Sequence, residues 1–109
     1  MINANIEAIP NELFNNYLEF LISKIYKILC MREENDLTLP KYMQSLQREL
    51  IGNKELIISL KFDSNFLSLL GKLEYLISNE VSIKTYKKDI FDCISLIKKM
   101  KEKYFQKED

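Results

Sequence analysis

The stretch from Leu13 to Cys30, LFNNYLEFLISKIYKILC, constrains the fold of this chain more than any other. Set on a helix at ~100° per residue, it brings Phe14, Leu18, Leu21, Ile25, Ile28 and Leu29 onto one face. Leu13, Tyr17, Phe20, Ile22 and Tyr26 widen that face on both flanks, and Asn16, Glu19, Ser23 and Lys27 are left as a narrow polar strip. A surface helix ordinarily carries one apolar stripe, whereas a helix apolar over more than half its circumference packs on several sides. The pattern predicts the central helix of a bundle, from about Asn11 to Glu34. Acids crowd its C-terminal end, where they oppose the helix dipole, so fraying is expected there.

Four more segments follow. Leu39-Pro40 opens a second helix, because proline in the first turn forfeits no hydrogen bond. Its stripe is Leu39, Met43, Leu46 and Leu50, and Gly52-Asn53 offers a natural stop. Residues 54–62, KELIISLKF, fit either a strand or a short helix. No other segment offers a partner strand to satisfy an extended backbone, so a short helix is expected. Asp63 or Ser64 caps the next helix, whose stripe is Phe66, Leu69, Leu70, Leu73, Leu76 and Ile77, ending near Asn79. Gly71 lies at its edge, either as a point of close helix approach or as a tolerated cost of ~1 kcal/mol. Ser82 caps the last helix, which carries Ile83, Tyr86, Ile90, Cys93, Ile94, Ile97, Met100 and Tyr104 on one face.

The fold class is therefore all-α, a compact single-domain helical bundle of four main helices plus one short helix. Residues 1–10 form a lead-in, 11–106 the bundle and 107–109 a frayed tail. A length of 109 residues suffices for a core without metal or disulfide staples. Two glycines and two prolines are too few for the turns of an all-β chain. Cys30 and Cys93 have no CxxC or Cys/His spacing and read as buried thiols. No window reaches ~18 uncharged apolar residues, so no membrane span is expected. The opening MINANIEAIPNE lacks the basic and apolar regions of a signal peptide. The expected location is a bacterial-type cytoplasm, and the Ile-, Lys-, Asn-, Tyr- and Phe-rich composition suggests an AT-rich coding sequence.

Little in the sequence points to catalysis. There is no histidine for nucleophilic or zinc chemistry and no glycine-rich phosphate loop. Glu33, Glu34 and Asp36 cluster at a helix end, where carboxylates are ordinarily solvated. Ser95 beside Lys98 and Lys99 is a common arrangement on an exposed helix. No catalytic residue, cofactor or metal ligand is assigned, and the chain does not read as an enzyme.

Charge is polarised along the sequence. Residues 1–40 hold six acids against three bases, and residues 84–109 hold eight lysines against five acids, so the ends carry −3 and +3. Lys88, Lys99 and Lys103 on the last helix form a candidate phosphate-contacting face. Asp89 and Asp92 interrupt it, and arginine, the usual reader of guanine edges, is scarce. The favoured reading is a non-catalytic protein–protein interaction protein, a small accessory or regulatory subunit of the antitoxin, inhibitor or defence-complex kind. Its partner would be another protein or its own copy. Apolar residues left over from the stripes mark where a partner would sit: Phe91, Leu96 and Phe105 on the last helix, Leu67, and Ile2, Ile6 and Ile9. A nucleic-acid-associated protein is the first alternative. The second is an immunity-type protein, since bacteriocin immunity proteins are helical bundles of about this size; the likeness is one of architecture, with no shared motif.

Overall fold

The computed structural model describes residues 11–105, apart from the side chains of Asn11, Ile58, Tyr104 and Phe105. The lead-in, the last four residues, and Ile2, Ile6 and Ile9 lie outside the described residues. Five helices lie among the described residues: α1 Asn11–Glu33, α2 Leu39–Leu56, α3 Ile58–Lys61, α4 Ser64–Ser78 and α5 Ile83–Phe105. No strand occurs among the described residues.

The four long helices form an up-down-up-down bundle, and polar pairs fix its register. Lys24 of α1 donates to Glu49 of α2 at 2.9 Å, and Asn53 donates to the Tyr17 hydroxyl at 2.8 Å. Gln47 of α2 donates to Glu74 of α4 at 2.8 Å, and Lys72 of α4 lies 3.7 Å from Asp92 of α5. The ring closes where Lys101 of α5 pairs with Glu19 of α1. α1 packs chiefly on α5 and secondarily on α2, while α5 packs on both α1 and α4.

This arrangement corrects the central role expected for α1: in a ring of four, each long helix has two long neighbours. The one-face residues of α1 from Phe14 to Leu29 are buried as the periodicity requires. The flanks are not: Leu13 is 60% exposed and Phe20 57%. With two neighbouring long helices instead of three, α1 has no described helix over that side.

Three local details also depart from expectation. α1 does not fray. Asn35 takes a left-handed conformation (φ 56°), Asp36 N–H donates to Met31 C=O at 2.9 Å, and Asn35 N–H donates to Arg32 C=O at 3.1 Å. This is a Schellman closure, which satisfies the last carbonyls despite the unfavourable acids. Asp36 then holds Thr38, the residue before α2, by accepting from its backbone N–H at 2.8 Å and hydroxyl at 2.6 Å. These bonds hold its carboxyl below the usual range.

Secondly, α2 passes through Gly52-Asn53 and ends only at Leu56, because Gly52 keeps a negative φ and continues the helix. Ile57 is extended (φ −115°, ψ 107°), so residues 54–62 divide into the end of α2, a break and the single turn α3. A β-branched pair at Ile57-Ile58 suits that break. Thirdly, a Cβ at Gly71 would meet nothing within 4 Å, so Gly71 is a tolerated glycine and not a point of close approach. The two anticipated caps are present: Phe66 N–H donates to Asp63 Oδ1 at 3.0 Å, and Thr85 N–H donates to the Ser82 hydroxyl at 3.2 Å.

Candidate functional site

The residues singled out on α5 separate onto different sides of the helix. Phe91 is 45% exposed and lies on the outer side of the α1–α5 layer. There it meets Tyr26 of α1, 48% exposed, with ring centroids 6.4 Å apart and planes tilted by 53°. A tilted pair at this distance suits the ring quadrupoles. Leu96 is on the other side. It is half-buried and packs against the core, because α4 covers the side of α5 that the sequence left open. Phe105 closes α5, with its side chain outside the described residues. Leu67 is exposed on α4, a helix outside the α1–α5 pair.

The three lysines do not act together. Lys88 donates to Asp92 at 3.1 Å, the i,i+4 pair expected from the sequence, and this contact raises the Lys88 pKa and lowers that of Asp92. Lys103 donates to the buried Asp63 carboxylate at 3.3 Å. Lys99 is exposed. Two of the three therefore have a carboxylate within contact distance.

The charges around the Tyr26–Phe91 pair are sorted by helix. Glu12, Glu19 and Glu33 lie on the same exposed strip of α1 as Tyr26, and Lys84, Lys87 and Lys98 lie on the strip of α5 that carries Phe91. Within each strip the spacings are whole helical turns, which keeps the charges beside the aromatic pair. The result is an aromatic centre with one acidic border and one border that is basic apart from Glu102.

The chain matches no family model, no curated protein and no solved structure.

A cleft of about 480 Å³ opens at the end of the bundle where α1 and α4 finish and α2 and α5 begin. Its floor is apolar (Leu39, Met43, Leu76), and Arg32 is the basic side chain that lines it. Arg32 is engaged in the fold: it donates to Val81 C=O at 3.1 Å and lies 5.1 Å from the Tyr86 ring centroid. The Tyr86 hydroxyl donates to the Met43 sulfur at 3.2 Å. Among the described residues no buried side-chain oxygen or nitrogen lacks a partner, and no group of three or more His, Cys, Asp or Glu is placed to hold a metal.

Cys93 is fully buried, and burial pushes its thiol up to about 12. Cys30 is half-buried and less enclosed than its sequence pattern indicated. Neither is in a disulfide, and no helix among the described residues is long and apolar enough to cross a membrane. Tyr26 is the member of the surface pair that the sequence reading did not single out. By periodicity it belongs to the flanks of α1, and only the antiparallel register of α1 on α5 brings it level with Phe91.

Proposed function

We propose that this protein acts by binding another protein chain, as a small accessory or regulatory component, through the face of α1 and α5 centred on Tyr26 and Phe91. The observation that carries this reading is the half-exposed ring pair bordered by charges. Interfaces have this anatomy, a desolvated aromatic centre inside a polar rim, and aromatic residues there tend to dominate binding energy. Leu96 has no part in it, since it packs inward. Phe105 falls on the same helical side as Phe91 by spacing. The carboxylates beside Lys88 and Lys103 weigh against a phosphate-binding role for those lysines. The two unpaired thiols suit a reducing cytoplasm, where disulfides are rare.

The test is capture from the native host at low and moderate salt, comparing the wild type with Phe91→Asp and with the triple change Lys88→Glu, Lys99→Glu, Lys103→Glu. A bound protein retained at moderate salt, lost in Phe91→Asp and kept in the triple variant is the expected result. A nucleic acid that is lost on adding salt and absent from the triple variant would overturn the reading, because phosphate binding weakens steeply with salt.

A further inference from the structure

The pattern of charge around Tyr26 and Phe91 identifies a partner, and we infer that it is a second copy of this chain, joined about a twofold axis parallel to α1 and α5. The inference rests on the protein-binding reading of this face and adds what binds there. The α1 border of the exposed face carries Glu12, Glu19 and Glu33, and the α5 border carries Lys84, Lys87 and Lys98. Two copies meeting face to face can be related by either of two axes lying in the contact plane. An axis across the helices places α1 on α1 and α5 on α5, so glutamates oppose glutamates and lysines oppose lysines. An axis along the helices places each α1 on the partner's α5, where every border meets its opposite.

Heights along the axis also agree. Tyr26 is level with Phe91, Glu19 with Lys101, and Arg32 with Tyr86. A twofold axis along the helices keeps these heights. The partner's Tyr26 then comes over Phe91, the partner's Glu33 over Lys84 and Lys87, and the partner's Glu19, which also pairs with Lys101 of its own chain, over Lys98. Glu102, an acid on the basic border, comes level with the partner's uncharged Asn15 and Asn16. Complementary charge fixes register and suppresses the alternative docking, and the four rings at the centre supply the apolar contact.

Sedimentation equilibrium and native mass spectrometry of the full chain test this. At about 100 µM, where an association of Kd ~10 µM is largely formed, the wild type should be dimeric. Phe91→Asp should be monomeric with an unchanged helical circular-dichroism spectrum. The pair Glu19→Lys, Glu33→Lys and the pair Lys87→Glu, Lys98→Glu should each be monomeric alone and form a heterodimer when mixed, because mixing restores opposite charges at both contacts. A monomeric wild type, or two charge variants that dimerise alone as well as mixed, would overturn the inference. If the wild type is monomeric while Phe91→Asp still abolishes capture of a host protein, self-association falls and the broader reading stands. If Phe91→Asp changes neither, both fall.

Discussion

The carboxylate of Asp63 and the ammonium of Lys103 meet at 3.3 Å, joining the start of α4 to the last turns of α5 across forty residues of sequence. Asp63 is buried and its other oxygen caps α4 at the Phe66 N–H, whereas the Lys103 side chain is 57% exposed. The two partners are therefore unequal. Asp63→Ala removes the cap and should cost about 0.5–2 kcal/mol. Lys103→Ala should cost less than about 1 kcal/mol, the range of solvent-screened pairs. Asp63→Asn, which keeps a capping oxygen, should fall between them. Urea denaturation of the three variants checks the order.

The two sides of α1 should respond differently to truncation. Leu21→Ala and Ile25→Ala remove fully buried side chains and should each cost ~2–5 kcal/mol. Leu13→Ala and Phe20→Ala lie on the uncovered side and should each cost less than ~1 kcal/mol. Similar losses at all four positions would mean that α1 is enclosed all round. Chemical denaturation with circular-dichroism detection measures each.

The buried Cys93 and Tyr17 should make stability fall at alkaline pH. Burial raises Cys93 from 9.0 and Tyr17 from 10.0, each to about 12. A thiol or phenol whose pKa is higher folded than unfolded contributes stability that is complete below the unfolded value and lost as pH rises through the folded one. Stability should accordingly decline from about pH 9 toward 12, and Cys93→Ala should decline less steeply over that window. The carboxylates of Asp36, Glu74 and Asp92 are lowered by their hydrogen bonds, so their contribution is complete above the ordinary range near ~4 and lost as pH falls below it. In the native state at neutral pH, Cys30 should react with a thiol reagent faster than Cys93, because access favours the half-buried residue and burial holds Cys93 as the thiol. Equal rates would contradict the burial of Cys93.

Helix type and the buried stripes were legible in the sequence because a 3.6-residue period recurs wherever a helix buries one side. Leu39, Met43, Leu46 and Leu50 are all buried, as are Tyr86, Ile90, Cys93 and Ile97. What periodicity within one helix does not encode is which neighbour lies beside it. Leu96 looked exposed until α4 covered it, and Phe20 looked buried although no helix does. The same reason left Tyr26 unpaired, since its meeting with Phe91 depends on the register of two helices. The end of α2 was misplaced because glycine permits a stop without requiring one, and Gly52 continues the helix here.

The most direct measurement of the proposed surface is photo-crosslinking inside the native host, with a benzophenone amino acid replacing Phe91 in one strain and the exposed loop residue Leu37 in another. Light-dependent adducts to a protein, either a second copy or another chain, should form from position 91 and not from position 37. Adducts from position 37 alone, or from position 91 to nucleic acid in place of protein, would contradict the assignment of function to the Tyr26–Phe91 face.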